Sequence, residues 1–251
     1  MLHRLLKQSD WSFLLDFVSP AFFKIIPPLE LVGQATALAK RTQNHILYST
    51  LVENFCLSER VSILSSGMKQ DEGRQPFTQL NDLSSEERCE LSALIVDLYF
   101  AQLYAGQHML LDLRLSRFNC SQGSWIWSPA PLIGEFDPKF LAAMCHLYEG
   151  FYFEKHETMT HALGDLGLEW AFDTFIHHFG EGDQTRVEFK ISHFVQTFHD
   201  IFMSAKEKKK SLKGDFVQLG VALGLMYETL EKLDEPVNVR ASFHRIHSQF
   251  G

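Results

Sequence analysis

Between His108 and Phe118 the chain reads HMLLDLRLSRF, which gathers an imidazole, a carboxylate and two guanidinium groups into one short stretch. His108 could work as a general acid or base with Asp112 orienting it, beside Arg114 and Arg117, on a small molecule held among aromatic rings. His108 and Asp112 are i and i+4, so they share a face only if the stretch is helical. Leu111, Leu113 and Leu115 alternate instead with Asp112, Arg114 and Ser116, the period of a half-buried strand or an extended loop. That alternation argues against contact between the imidazole and the carboxylate.

Other groupings of reactive residues are weaker. His156 and His161 in HETMTH imitate a zinc-protease helix, but they lie five apart, and two imidazoles must lie four apart to share a helical face on one metal. His177, His178, His193 and His199 have no carboxylates at a recognisable ligand spacing, and no metal site is expected. The chain has no GxSxG, GxxxxGK[ST] or GxGxxG, which disfavours an elbow serine, a Walker loop and a dinucleotide turn. Cys56, Cys89, Cys120 and Cys145 form no CxxC pair and read as reduced, packed thiols. The 22 phenylalanines could line a lipid pocket, but packed helices use them as readily, and core is the favoured reading.

What must position the polar stretch is the segment in front of it. Ser84-Ser85-Glu86-Glu87 is a helix start in which a serine hydroxyl takes an orphan amide and Glu87 reaches back. Leu91, Leu94, Ile95 and Leu98 then recur at steps of three and four as a buried stripe, and the helix breaks at Gly106. Further back, Leu5, Trp11, Leu14, Leu15 and Val18 suggest a helix ended by Pro20, followed by an irregular apolar segment. The spacing predicts a helix from Leu29 to about Ile46, strand or helix for STLVENF, a short strand in ERVSILSS and a surface connection from Ser65 to Asn81. Residues 119–136, with two tryptophans and two prolines in GSWIWSPAPLIGEF, cannot form a long helix, and little beyond these stretches reads as sheet.

Asp137-Pro138 is an N-cap with proline at the first helical position, followed by Phe140, Met144, Leu147 and Phe151 on one face. Helices are predicted at Lys155 to Leu166, Leu168 to His177, Ser192 to Lys206 and Asp215 to Leu233. The last carries Phe216, Leu219, Leu223, Tyr227 and Leu230 on one side.

At 251 residues and 45% hydrophobic composition the chain can bury a sizeable core, and one domain is expected. A net charge of −8 argues against nucleic acid as a general partner. The run Lys206 to Lys213, KEKKKSLK, reads as a solvated helix end, with anionic lipid or an acidic partner as the alternative. The N-terminus lacks a signal-peptide pattern, and no stretch approaches the ~20 apolar residues that span a bilayer. An intracellular, soluble chain is the expectation.

The segment DLYFAQLYAGQHMLLDLRLSRF resembles the part of the AarF/UbiB family of atypical kinases where an LLxxYxxQLFxxGFF helix runs into the catalytic HADPHPGN loop. The surrounding pieces are similar in the same order. Residues 1–28 resemble the helical region after the family's nucleotide-anchoring lysine, and Leu29 to Ile46 resembles its ELDFRREAAN helix, with Asn44 at the asparagine. SERVSILSSGMKQDEGRQPF is similar to the RVLVMEYLEGxPL strand and hinge, LIGEFDPKF to VGRLSPEFR, and GDFVQLGVALGLMYETLEKLDEPVNV to the closing helix.

The resemblance implies a mainly α fold, a kinase-like helical C-lobe with a little β near residues 48–65 and 108–118. One domain would run over 1–251: a helical lead-in at 1–47, short strands and a hinge-like connection at 48–82, and a helical body at 83–251.

The departures from the family fall on groups that phosphoryl transfer uses. The N-terminal lobe with its lysine has no counterpart, since the chain begins after it, and the glutamate helix reads QATALAKRTQNH with no carboxylate. Aligning on His108 puts Leu110 at the catalytic aspartate and Leu115 at the metal-binding asparagine; aligning on Asp112 puts Arg117 at the asparagine. The DFG aspartate falls near Ser128 or Pro129.

The reading is a catalytically inactive relative of these kinases, with no catalytic residues expected and His108, Asp112 and Arg114 as candidates should that be wrong. No cofactor is expected; ATP and magnesium would enter only if the inactive reading fails. The partner would be a protein or a membrane lipid surface, and the place cytoplasmic or peripheral to the inner membrane. The family's biology implies a link to isoprenoid-quinone or lipid metabolism. Two alternatives stand beside it: a small-molecule enzyme using His108 and Asp112, and the C-terminal half of a split ATP-dependent kinase.

Overall fold

A computed structural model describes residues 28–55, 61–64, 80–121, 123–179, 186–210 and 212–251. The helix expected around Leu5 to Val18 and nearly all of the connection from Ser65 to Asn81 lie outside the described residues. The protein is mainly helical with a few short strands.

The chain runs through α1 (Pro28–Thr42), α2 (His45–Asn54), β1 (Val61–Ile63), α3 (Ser85–Tyr104), β2 (His108–Leu110), β3 (Phe118–Ser121), β4 (Ser124–Trp127) and β5 (Ile133–Glu135). It continues through α4 (Pro138–Tyr152), α5 (His156–Leu166), α6 (Phe172–Phe179), α7 (Ile191–Glu207), α8 (Asp215–Leu233) and α9 (Val239–Phe250). β4 is central to one sheet, parallel to β1 and antiparallel to β3, while β2 and β5 form an antiparallel pair.

The start of α3 is the capping box its sequence encodes. Ser84 Oγ accepts from Glu87 N at 3.2 Å, while Glu87 Oε2 accepts from Ser84 N and from the Ser84 hydroxyl, both at 2.8 Å, and these last two bonds hold the Glu87 carboxyl below its usual range. The helix ends at Tyr104, and Gly106 takes φ +122°, a backbone conformation that side chains with a Cβ rarely adopt. The stripe Leu91, Leu94, Ile95 and Leu98 is buried, but so are Val96, Tyr99, Phe100, Gln102 and Leu103. The burial is wider than one stripe because α4, α8 and α9 all pack against α3.

Asp137 caps α4 through Lys139 N at 2.8 Å, and Phe140, Met144 and Leu147 face the core as predicted. The apolar side of α8 is buried at Phe216, Leu219, Leu223, Tyr227 and Leu230.

Several boundaries differ from the sequence reading. The helix expected from Leu29 to Ile46 stops at Thr42, and Asn44 restarts the chain as α2 by accepting from Leu47 N at 3.1 Å. STLVENF is therefore helical, and β structure in this region is confined, among the described residues, to Val61–Ile63. The helix expected from Leu168 begins at Phe172, after a 3-10 turn at Glu169–Ala171.

Two strands, β4 and β5, lie in the stretch that did not read as sheet; Trp125 and Trp127 of β4 face inward, but a four-residue alternation followed closely by two prolines is too short to signal itself. Helix α9 was also missed, although Asn238 caps it through Ala241 N at 2.9 Å and Val239, Phe243 and Ile246 are spaced to meet the core.

α4 and α5 form a tight antiparallel hairpin that leaves no room at Gly150. A Cβ there would collide with the Met159 backbone nitrogen and lie 2.7 Å from Met159 Cα. Backbone cannot step aside as a side-chain end can, so Gly150→Ala should cost about 2–3 kcal/mol and lower the melting temperature by roughly 5–10 °C. A thermal melt of the variant checks this, with Gly164→Ala, which meets nothing within 4 Å, as the control.

Candidate functional site

The polar stretch after α3 is built in three steps. β2 pairs with β5 in the register His108 to Glu135, Met109 to Gly134 and Leu110 to Ile133, and Leu111 N extends the pairing to Leu132 O at 2.9 Å. The chain then turns at Asp112, where Leu113 N bonds to Leu111 O at 3.0 Å. A 3-10 turn over Leu115–Arg117 leads into β3. Leu111 and Leu113 are buried, as the alternation requires, but Asp112 between them is buried too, against that pattern.

The reason is its partners. The Asp112 side chain has 0% exposure, and its Oδ1 accepts from Arg114 Nε at 2.6 Å. Its Oδ2 accepts from Arg114 Nη2 at 2.8 Å, Arg117 Nε at 2.7 Å and Ala130 N at 3.0 Å. A carboxylate offers about four acceptor positions, and four donors occupy this one. The Arg114 pair is the forked, two-bond geometry in which guanidinium and carboxylate fit best. The Arg114 and Arg117 side chains are 23% and 25% exposed, so the cluster carries two positive charges against one negative just beneath the surface.

The surroundings lock the loop in place. The Asp112 carbonyl accepts from Trp127 Nε1 at 3.0 Å, and the Arg117 carbonyl accepts from Ser128 N at 2.8 Å. On the far side of the 128–130 segment, Tyr48 of α2 donates to Pro129 O at 2.7 Å.

His108 sits half-buried on β2, opposite Glu135, and is not among the donors to Asp112. The structure thus unites Asp112, Arg114 and Arg117 and leaves His108 on the preceding strand. An acid–base pair needs its two members within hydrogen-bond reach.

The chain matches no family model and no curated protein sequence.

A second polar network supports the site from below, and the sequence reading missed it. Arg41 of α1 donates from Nε to Ile133 O at 2.9 Å, from Nη1 to Glu135 Oε2 at 2.9 Å and from Nη2 to Gln218 Oε1 at 2.8 Å. Gln218 of α8 is itself buried; its Oε1 accepts from Glu135 N at 2.9 Å and its Nε2 donates to Glu135 O at 2.8 Å. One arginine and one glutamine therefore pin β5 to α1 and α8, and β5 fixes β2, which delivers Asp112. Arg41 belongs to QATALAKRTQNH, whose only visible oddity in the sequence is its lack of carboxylates.

Among the described residues, no three His, Cys, Asp or Glu side chains gather as a metal site, and no helix is long and apolar enough to cross a membrane. Two cavities lie among the aromatic rings. One of about 30 Å³ is bordered by Tyr148, Phe198 and Phe216, and one of about 40 Å³ by Tyr99, Tyr152 and Tyr227. Each has room for a water or two, far short of an acyl chain. The rings pack on one another instead: Phe100 meets Tyr148 edge-on at 5.2 Å and Phe243 at 5.3 Å.

Proposed function

We propose that this protein is a catalytically inactive, kinase-like scaffold, a degenerate relative of the AarF/UbiB kinases that binds a protein or lipid surface in place of transferring phosphate. The observation that carries the reading is the state of Asp112. In a kinase catalytic loop the aspartate accepts the proton of the incoming hydroxyl, and an asparagine five residues later holds magnesium. Counting five from Asp112 reaches Arg117, whose Nε is bonded to that same carboxylate at 2.7 Å. The aspartate is thereby engaged and the cation position carries a cation of its own, which repels Mg²⁺.

The second metal-binding aspartate would fall near Ser128 or Pro129, and Ser128 is tied by its backbone to Arg117 O at 2.8 Å. That contact between Ser128 and Arg117 supports the reading, since neither residue offers a carboxylate to a metal ion. The link to isoprenoid-quinone or lipid metabolism rests on the family resemblance and belongs to this proposal.

Isothermal titration with magnesium-ATP tests it. The expected result is no saturable heat up to millimolar nucleotide. Micromolar binding that is abolished by EDTA would overturn the reading, because it would require a cation site that the loop does not offer.

A further inference from the structure

We infer that the C-terminal end of α7 is an attachment surface for anionic lipid bilayers. The inference narrows the partner proposed above, but draws nothing from the Asp112 loop. Lys206, Lys208, Lys209, Lys210 and Lys213 fall within eight residues with a single acidic neighbour, Glu207, in a chain whose net charge is −8. All five lysines are exposed. Lys213 Nζ is turned back onto the protein, donating to Asp165 O at 3.2 Å, so Lys206 and Lys208 to Lys210 carry most of the outward charge.

The ordinary explanation for lysines here is that they complement the negative end of the helix dipole. That accounts for Lys206, in the last turn, and not for three more placed past it. The backbone adds a second reason. Lys210 N bonds to Ala205 O at 2.9 Å and Lys209 N to Lys206 O at 3.1 Å, the two bonds of a Schellman motif. The residue after the cap in that motif takes a left-handed conformation and is usually glycine. Here it is Lys209, at φ +52°. Stability alone favours glycine at this position, so backbone preference does not account for the lysine. The motif also holds the three lysines on one fixed turn.

Met203, one turn earlier on the same exposed side as Lys206, is 36% exposed and supplies an apolar contact. A cluster of exposed, flexible ammonium groups with one thioether beside it suits a plane of anionic headgroups better than a shaped ligand, and clusters of four or more lysines read as binders of such surfaces. The overall negative charge does not prevent this, since screening at physiological salt confines the field to about 8 Å and only the local patch is felt.

The test is co-sedimentation with phosphatidylcholine vesicles, with and without phosphatidylglycerol, at low and high salt. Binding is expected to the anionic vesicles only, to fall steeply with salt, and to drop at least about a hundredfold in Lys208→Glu/Lys209→Glu/Lys210→Glu. Met203→Ser should weaken it several-fold. Lys209→Gly separates attachment from folding: it should raise the melting temperature by relieving the left-handed lysine while weakening vesicle binding by roughly fivefold. Equal binding to neutral vesicles, undiminished binding of the triple variant, or binding to polyglutamate without binding to vesicles would each overturn the inference. None of these outcomes bears on the magnesium-ATP titration.

Discussion

Replacing Asp112 by alanine should cost about 3–5 kcal/mol of folding stability, because it removes the one carboxylate shared by two half-buried guanidinium groups and the Ala130 amide. The carboxylate is fully buried and takes four hydrogen bonds from these groups. Asp112→Asn should fare little better, since an amide turns an NH₂ group toward donors. The informative comparison is with Asp112→Ala/Arg114→Met/Arg117→Met. Removing the charges together with the carboxylate should leave that variant more stable than Asp112→Ala alone, as expected when the cost lies in uncompensated charge. Denaturant unfolding of the three variants decides it. A triple variant less stable than the single one would mean that the arginine–aspartate cluster is a net source of stability.

Alkaline unfolding well before ordinary proteins lose their helices is the second large effect to expect. Tyr99, Tyr148, Tyr152 and Tyr227 are buried together, with Tyr99 and Tyr148 hydroxyls 2.8 Å apart. Burial pushes each of these hydroxyls above its ordinary value of 10.0. Burial also pushes the Cys145 thiol from 9.0 up to about 12. A group whose pKa is raised by folding keeps its proton in the folded chain while the unfolded chain loses it. Stability is therefore intact below about pH 9 and falls as pH rises, by about 1.4 kcal/mol per group for each pH unit above the unfolded pKa.

At about pH 11 four tyrosines and one cysteine together remove on the order of 8 kcal/mol, comparable to the whole stability of a typical domain. Far-ultraviolet circular dichroism should collapse between about pH 10 and 11, and tyrosinate absorbance should rise in the same transition. Tyrosinate appearing gradually near pH 10 with the helices intact would show that these hydroxyls reach water in the native state.

The parts of the fold legible in the sequence are those written by near neighbours. The α3 capping box is a contact between residues three apart, the Asp137 cap reaches two residues on, and the buried face of α8 repeats every three or four positions. The break at Gly106 and the two-residue alternation around Leu111 and Leu113 are equally local. The proposed resemblance to the AarF/UbiB kinases rests on the order of such pieces, and by itself it leaves open whether Leu110 and Leu115 or Asp112 and Arg117 stand at the loop positions.

What the linear text withholds is which distant groups complete one another. The burial of Asp112 depends on Ala130, eighteen residues away, and Arg41 finds its partners on β5 and α8, as far off as Gln218. β4 has only four residues, and its place between β1 and β3 is set by strands on either side rather than by its own pattern. Residue types and local spacing determined the helical class, most helix ends and the polar loop as the place to look. Only the tertiary structure decided that this loop's aspartate is spent on two arginines and that His108 stands apart from it. The physical reason is that periodicity reports which face of a segment is apolar, whereas the pairing of a buried charge is settled by whatever donor the folded chain brings within 3 Å of it.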